Sequence, residues 1–309
     1  MDTKDLTPLL CVVGPTASGK TGLAISLAGR LNGEVVSCDS MQIYKGMDIG
    51  TAKPAPEETR GIPHHMIDCA SPFEPWSAGF YARESRRCIE DIRARGRVPI
   101  VCGGTGLWLR ALTQGLSDMP DCPQREHGPD AYERLRRVDP AAAARLSPGD
   151  RQRIGRALDV YDATGVPLSE FHQRKPAPRY RAVCVGWQWE REVLEKRIRA
   201  RAADMLARGL IAETRALLDV GLAPDCAPLR AIGYRETVAF LQNNEKQTPD
   251  ALARLTDEIA IGTRQYAKRQ RTWFAHQTET VWFDPGGGPE AIINWWHGSF
   301  EKGAVSAAD

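Results

Sequence analysis

The stretch that most restricts this chain is an octapeptide, GPTASGKT at residues 14–21, which matches the pattern G-x-x-x-x-G-K-[ST] in full. An apolar run at 9–13 precedes it, and a helical pattern with leucines at every fourth position follows at 20–31. In such a strand–loop–helix, glycines let successive backbone N–H groups face an anion, and the helix N-terminus adds positive potential. The sequence therefore predicts a phosphate loop that binds a di- or triphosphate.

The elements predicted around that loop indicate the fold class. Four short apolar runs have the character of buried parallel strands: 9–13, 34–37, 98–102 and 182–186. Helical patterns at 20–31 and 77–95 separate the first three, and further helices start near 190, 210, 230 and 249. We predict an α/β fold, a P-loop NTPase-like parallel sheet flanked by helices, with a small helical insertion subdomain and a helical C-terminal part.

Composition and charge bear on the class of protein. Hydrophobic residues make up 42% of the 309, which excludes a disordered chain. The net charge of +2 taken alone argues against a strongly basic nucleic-acid-binding protein. However, residues 121–181 carry 12 basic and 9 acidic residues and several proline turns. We expect the first part of the core at 1–115, the insertion subdomain at 116–181, and the completed core with C-terminal helices at 182–309.

The cysteines and the N-terminus indicate the compartment. The chain has 8 Cys and no C-x-x-C pair, so a zinc ribbon would lack its ligands. Several cysteines lie in apolar runs, where a thiol packs as a small hydrophobe. The apolar run near the N-terminus is too short for a signal sequence or a membrane span. We expect a cytoplasmic monomer with free thiols and no membrane contact.

Polar residues follow the second and third predicted strands, at the edge of the sheet where ligands bind in α/β proteins. Asp39 follows the second strand and is interpreted as a Mg²⁺ ligand or a general base, or else as an Asx turn. Thr105 lies in the GGTG turn after the third, whose glycines allow either close backbone approach or a tight turn. Lys45 and Lys53 either reach a polyanion or lie in solvent.

A long helix predicted from Pro249 to about His276 carries a basic face. The segment 259–276 has no acidic residue, and four basic residues lie in it: Arg264, Lys268, Arg269 and Arg271. Three of them have helical spacing on the face opposite the apolar stripe. Contact with a phosphate backbone and a solvated face are the two interpretations. The same two apply to a second cluster, Arg151, Arg153 and Arg156.

Five further blocks occur in order along the chain: DSMQIYKGMDIGTAKP at 39–54, GGTG at 103–106, QRIGRAL at 152–158, AIGYRE at 231–236 and YAKRQRTWF at 266–274. Together they resemble the bacterial tRNA dimethylallyltransferases, the tRNA isopentenyltransferase (IPP transferase) family, over residues 9 to 274. The phosphate loop is generic, whereas the five blocks together are highly specific.

The resemblance implies transfer of a dimethylallyl group from its diphosphate to N6 of the adenosine at position 37 of tRNA, next to the anticodon, with release of diphosphate. The phosphate loop then holds dimethylallyl diphosphate, not ATP, with Mg²⁺ as cofactor on Thr21. The residues implied for the diphosphate are Gly14, Pro15, Thr16, Ala17, Ser18, Gly19, Lys20 and Thr21. Implied catalytic residues are Asp39 as the base, Thr16 and Thr105.

The resemblance also implies contacts with the anticodon stem-loop. The implied tRNA-binding residues are Asp39, Ser40, Met41, Gln42, Gln152, Arg153, Ile154, Gly155, Arg156, Ala231, Ile232, Gly233, Tyr234, Arg235, Glu236, Lys268, Arg269, Gln270, Arg271, Thr272 and Trp273. One departure from the family pattern bears on tRNA affinity, because the segment between Gly115 and Asp139 is shorter by about ten residues, or about three helical turns.

Three other functions fit parts of the sequence. A P-loop small-molecule kinase using ATP would share the phosphate loop but would not need the arginine clusters. An adenine-nucleotide prenyltransferase would share the chemistry, although the long C-terminal helices favour tRNA. A non-catalytic tRNA-binding descendant would not need Thr16, Lys20, Thr21 and Asp39, all of which are present.

Overall fold

The computed structural model describes residues 6–116, 122–123, 125–173 and 177–300. In these residues six parallel strands form one sheet with the order β3-β2-β4-β1-β5-β6. The strands are β1 Pro8–Val13, β2 Gly33–Ser37, β3 His64–His65, β4 Val98–Gly103, β5 Arg181–Trp187 and β6 Thr280–Phe283. The predicted α/β fold with a parallel sheet is confirmed. The two edge strands, β3 and β6, were not predicted because their two and four residues are too few for a periodicity.

Helices connect the strands and extend beyond them. Those of the first half are α1 Lys20–Arg30, α2 Ala78–Ala94, α3 Gly106–Thr113, α4 Ala131–Val138, α5 Pro140–Ala143, α6 Arg151–Thr164 and α7 Leu168–Gln173. Those of the second half are α8 Arg191–Ala207, α9 Leu210–Asp219, α10 Tyr234–Gln242, α11 Pro249–Gln277 and α12 Gly288–Phe300, the last preceded by a 3-10 turn, Pro285–Gly287.

The predicted helix ends are close to the observed ones. Ser77 caps α2, because its hydroxyl accepts a hydrogen bond from the N–H of Phe80 at 3.1 Å. The 29-residue α11 begins at Pro249 and ends one residue beyond the predicted end. The helix predicted near 230 begins only at Tyr234, because Gly233 has a φ of 95° and interrupts the helical path.

Apolar side chains cover the sheet on both faces. Alternate residues of β1, Leu10 and Val12, pack in one cluster with Leu23 and Leu27 of α1 and Ile292 of α12. On the other face α2 packs against β2 and β4. Helices on both faces leave the carboxyl edge of the sheet as the open side, where ligands bind in folds of this kind.

The chain divides into two compact units, one formed by Met1–Leu112 with Tyr180–Asp309 and the other by Thr113–Arg179. The second unit lies within three residues of the predicted insertion at each end. It is helical and has its own apolar cluster, which includes Leu135, Ile154 and Leu158. At its base the N–H of Arg179 donates to the carbonyl of Thr113 at 2.8 Å. Of the segment expected to be shortened, residues 117–121 and 124 lie outside the described residues.

All eight cysteines are described and are free thiols, as expected. Five of them are buried, and three of these are strand residues: Cys11 in β1, Cys102 in β4 and Cys184 in β5. No described helix combines the length and the apolar character that crossing a membrane requires.

Candidate active site

The phosphate loop connects β1 to α1 through three residues with positive φ. These are Gly14 at 140°, Ala17 at 63° and Gly19 at 85°. Ala17 is the only one of the three with a Cβ, so its left-handed backbone is strained. Backbone strain of this kind is concentrated at functional sites. Gly19 precedes the first residue of α1 and has no side chain to cap it, and the first turn has no acidic residue. The N–H groups at this helix N-terminus therefore face an anion site.

Three side chains from distant segments hold this loop in place. Arg197 of α8 donates to the carbonyl of Ala17 at 2.8 Å, and Trp189 donates to the carbonyl of Ser18 at 2.8 Å. The N–H of Thr16 donates to Oε1 of Gln270 on α11 at 2.8 Å. The sequence motif could not show these contacts, because the partners lie more than 170 residues away along the chain.

Lys20 and Thr21 line a small polar cavity of about 70 Å³ beside the loop. The ammonium of Lys20 donates to the carbonyl of Pro15 at 2.7 Å, and its burial lowers the pKa of Lys20 to about 8. Thr16, Asp39 and Arg201 line the same cavity. The structure therefore brings the predicted diphosphate residues together with the predicted base.

Asp39 follows β2 and combines an Asx turn with a position at the cavity of the phosphate loop. Its Oδ1 accepts a hydrogen bond from the N–H of Met41 at 2.9 Å, which is the Asx turn. Its side chain also lines the small cavity and a second, larger cavity of about 360 Å³. Nearby, Tyr266 lines both cavities, and burial together with the charge of Asp39 raises the pKa of Tyr266 to about 12. Tyr266 shares a hydrogen bond with Thr105, whose hydroxyl accepts from the N–H of Ser40 at 3.1 Å.

Arg201 of α8 is a site residue that the sequence did not indicate. It lines both cavities, and burial lowers the pKa of its guanidinium, an effect that the charge of Asp39 opposes. Among the described residues, none accepts a hydrogen bond from this guanidinium and no carboxylate forms a salt bridge with it. The helical spacing of Leu194, Ile198 and Ala202 marks the buried face of α8, but nothing in that pattern distinguishes Arg201 from the other arginines of the helix.

The larger cavity has a mixed lining of apolar side chains and arginines. Its apolar lining includes Ile198, Met205 and Ile259, while Arg230, Arg235 and Arg269 also line it. Arg230, Arg235 and Arg269 are exposed to solvent. This combination suits a flat organic group attached to a polyanion.

The segment 39–54 mostly builds its own loop. The carboxylate of Glu213 on α9 accepts the N–H groups of Asp48, Ile49 and Gly50 at 2.8–3.1 Å. The buried ammonium of Lys53 donates to the carbonyl of Tyr44 and pairs with Asp48 and Asp68. Lys53 therefore neither reaches a polyanion nor lies in solvent, and both interpretations of it were wrong. Lys45 is exposed.

The glycines of the GGTG turn after β4 lie where the backbone closely approaches other atoms of the protein. A Cβ on Gly103 would lie 2.0 Å from the carbonyl oxygen of Cys38, and one on Gly106 would lie 2.1 Å from the indole nitrogen of Trp273. A Cβ on Gly104 would lie 2.1 Å from Nε2 of Gln270. Both interpretations of this turn are observed, because the glycines lie close to other protein atoms and only residues 104 and 105 separate β4 from α3.

The residues predicted to bind tRNA divide by exposure. Seven have exposed side chains: Gln152, Arg153, Arg235, Lys268, Arg269, Arg271 and Thr272. Half-buried ones are Asp39, Ser40, Met41, Gln42, Gly155, Arg156, Ala231, Ile232 and Trp273. Gly233 and the side chains of Ile154, Tyr234, Glu236 and Gln270 are buried, and RNA contact by these residues stays a prediction. Tyr234 donates to Glu213 at 2.6 Å, and Glu236 caps α10 through the N–H of Gly233.

The basic face of α11 is less uniform than its sequence indicated. Arg264 lies 4.0 Å from Glu195 of α8, so the absence of acidic residues in 259–276 does not leave it without a carboxylate opposite it. The sequence pattern compared charges only along one helix, whereas the carboxylate comes from another. Among the described residues no acidic side chain pairs with Lys268, Arg269 or Arg271. In α6, Arg153 pairs with Asp150 at 3.3 Å.

Comparison with known proteins agrees with this geometry. The profile of the family described as IPP transferase matches residues 42–277, and that described as isopentenyl transferase matches residues 7–71. The chain is 46% identical over 292 residues to tRNA dimethylallyltransferase 1 of Pelobacter propionicus, with 90% of this chain and 93% of that protein covered. It is 44% identical over 289 residues to the tRNA dimethylallyltransferase of Geobacillus thermodenitrificans, covering 89% and 90% of the two chains.

Solved structures show the same likeness. The tRNA isopentenylpyrophosphate transferase of Bacillus halodurans has a TM-score of 0.72 at 37% identity, with 96% of this chain and 98% of that chain covered. A eukaryotic dimethylallyltransferase described as acting on tRNA has a TM-score of 0.75 at 27% identity, with coverage of 97% and 78%. With the phosphate loop, Asp39 and the five sequence blocks in place, the chain belongs to the IPP transferase family.

Proposed function

We propose that this chain is a tRNA dimethylallyltransferase that moves a dimethylallyl group from dimethylallyl diphosphate to N6 of the adenosine next to the anticodon. The observation that carries the proposal is the position of Asp39. It lies where the small cavity of the phosphate loop and the larger cavity rimmed by arginines share residues. A donor diphosphate and an acceptor base could therefore approach the same carboxylate from two sides.

The diphosphate fits the small cavity. The phosphate loop offers backbone N–H groups, and Lys20 and Arg201 offer the only two cationic side chains among the residues that line this cavity. Two cations in a mostly enclosed site neutralise a leaving diphosphate more effectively than they would in water. An anion there also favours the charged form of Lys20, against the effect of its burial.

Mg²⁺ fits the donor set although no protein cluster would hold it alone. Among the described residues no three His, Cys, Asp or Glu side chains form a metal site. Mg²⁺ bound with phosphates uses only one or two protein oxygens and keeps several waters. The Thr21 hydroxyl beside the loop supplies such an oxygen. When bound, the ion would neutralise charge on the leaving diphosphate.

The acceptor chemistry falls to Asp39. The adenosine must leave its stack for its N6 to reach a carboxylate inside the protein. The bond between the allylic carbon and the diphosphate oxygen breaks, the N6–carbon bond forms, and the N6 proton goes to Asp39. Thr16 lines both cavities and can donate to the departing oxygen. Thr105 holds the Ser40 backbone beside Asp39 and thereby the edge of the base site.

RNA contact is assigned to exposed basic residues. On α11 these are Lys268, Arg269 and Arg271, and around the larger cavity Arg230 and Arg235 add to them. In the helical unit, the exposed residues of α6 assigned to RNA are Arg153 and the uncharged Gln152. Phosphate contacts of this kind position an RNA without reading its sequence.

The decisive experiment uses labelled substrates. The protein is incubated with an anticodon stem-loop RNA and dimethylallyl diphosphate labelled in the prenyl group, and separately with ATP and candidate small-molecule acceptors. We expect label in the RNA, lost when the adenosine next to the anticodon is replaced. Label in free adenine nucleotide would indicate the nucleotide prenyltransferase, and turnover of ATP without label in RNA would indicate a kinase.

A further inference from the structure

Gln270 of α11 uses both the oxygen and the nitrogen of its side-chain amide in hydrogen bonds inside the protein. Its side chain is 6% exposed. Oε1 accepts the N–H of Thr16 at 2.8 Å, and Nε2 donates to the carbonyl of Gly104 at 2.9 Å. It therefore connects α11 to the phosphate loop and to the GGTG turn, which lie 254 and 166 residues away in sequence.

The fold makes room for this amide at a specific glycine. A Cβ at position 104 would lie 2.1 Å from Nε2 of Gln270, and Gly104 does not have positive φ. A positive φ therefore does not explain this glycine, whereas the contact that a Cβ would make with the Gln270 amide does. The absent side chain is explained by the amide that lies in its place.

The two bonds of Gln270 set the backbone on either side of the reacting groups. Thr16 lines both cavities, and its N–H is committed to Gln270 rather than to a ligand. Gly104 precedes Thr105, whose hydroxyl holds Ser40 next to Asp39. A single planar amide thus fixes the separation between the phosphate loop and the segment that carries the base.

We propose that Gln270 is a positioning residue for the transfer step, holding Thr16 and Thr105 in register about Asp39, and does not contact tRNA. The inference rests on the proposed function, because it concerns the same site. It assigns α11 two separate roles by face: the exposed side chains bind RNA, and the buried amide orders the site. Loss of the amide should therefore change catalysis and leave RNA affinity alone.

The first test replaces Gln270 with methionine, which keeps the length and removes both hydrogen bonds. At saturating RNA and prenyl diphosphate we expect kcat to fall by about 10- to 100-fold, as displacement of reacting groups does. The dissociation constant for the stem-loop RNA and its salt dependence should stay within about twofold of the native values. Gln265→Met, at an exposed position of the same helix, is the matched control and should change neither.

A second variant keeps the test valid if the methionine variant folds poorly. Gln270→Glu retains an acceptor for the Thr16 N–H but places a carboxylate oxygen against the Gly104 carbonyl, so only one bond is rescued. We expect kcat between those of the native and methionine proteins. Gly104→Ala should reproduce the effect of Gln270→Met, and the double variant should be little worse than either, because both changes displace the same amide.

Three results would overturn the proposal. A native kcat in Gln270→Met with a lowered melting temperature would make the amide structural only. A raised dissociation constant for RNA in Gln270→Met, with a native kcat at saturation, would show that Gln270 contacts tRNA. Additive effects of Gly104→Ala and Gln270→Met would show that they act separately.

Binding of inorganic pyrophosphate to the free protein gives a readout independent of transfer. We expect Gln270→Met to lower the affinity for inorganic pyrophosphate by about threefold or more, whether or not the acceptor is tRNA.

Discussion

Two carboxylates lie at opposite ends of β2, and the fold treats them differently. Glu34, near the start of the strand, is 3% exposed and contacts His65 at 2.5 Å, Arg95 at 2.7 Å and Arg97 at 3.4 Å. Asp39, just beyond the other end, accepts one backbone N–H and otherwise lines two cavities. The two ends of β2 thus carry a charge that is paired by cations and a charge that faces two cavities.

The difference shows how to distinguish structural from functional charge in this chain. Burial alone raises the pKa of Glu34, but hydrogen bonds from His65 and Arg95 outweigh burial and hold that pKa below its usual value. The same contrast recurs on α11, where Arg264 has Glu195 opposite it and Lys268 and Arg271 have no acidic partner among the described residues. A charge type or a spacing does not decide the role; the partners that other segments supply do.

The largest expected effect comes from Asp39→Asn. The amide keeps an acceptor for the Met41 N–H but cannot take a proton, so we expect kcat to fall by about 10³-fold. Thermal stability should change by no more than about 0.5 kcal/mol. Single-turnover transfer of labelled prenyl group and a melting curve measure the two quantities. Normal turnover by this variant would remove Asp39 as the base.

The matched change at the other end of the strand is Glu34→Gln. It removes a buried charge from cationic partners that are partly exposed, so we expect a loss of about 1–2 kcal/mol in the free energy of unfolding. The activity per folded molecule should be native. Urea denaturation with an activity assay at the same temperature tests both. A drop in activity without loss of stability would mean that the two ends of β2 are not separable.

A smaller effect is expected from the exposed basic residues of α11. Changing Lys268 and Arg271 together to alanine should weaken RNA binding and make the dependence of log K on log[salt] shallower by about 1.5, because two phosphate contacts are lost. Arg264→Ala should change that slope by less than half as much per residue, since Glu195 already opposes its charge. Equal slopes for the two proteins would contradict the distinction between paired and unpaired charge.

The smallest effect concerns acid stability. The folded pKa of Glu34 is depressed, so its contribution to stability is present above the unfolded pKa of about 4.3 and is lost as pH falls through the folded value. We expect about 1 kcal/mol of the acid destabilisation to disappear in Glu34→Gln. Unfolding curves of both proteins between pH 6 and pH 3 measure this difference. An equal loss of stability with falling pH in the two proteins would contradict the pairing of Glu34 with its cationic partners.

The sequence predicted those features that depend on neighbouring residues. The phosphate loop, the buried strands and the cap at Ser77 are local patterns, and each was observed. Arg201, Glu213 and Glu195 could not be found in this way, because each acts on a segment far away in the chain. Gln270 shows the same limit in reverse: its block indicated RNA contact, but the structure places its amide against Thr16 and Gly104.

The hydrogen bond between Arg179 and Thr113 has a consequence for modularity. The helical unit leaves and rejoins the chain at one point, and β5 resumes next to β1 in the sheet immediately afterwards. Sixty-seven residues, Thr113–Arg179, can therefore be lengthened, shortened or exchanged without interrupting the order of the strands. For an engineer this is a graft site, and under the proposed function it is a place where the RNA contacts of a lineage can change while the phosphate loop stays the same.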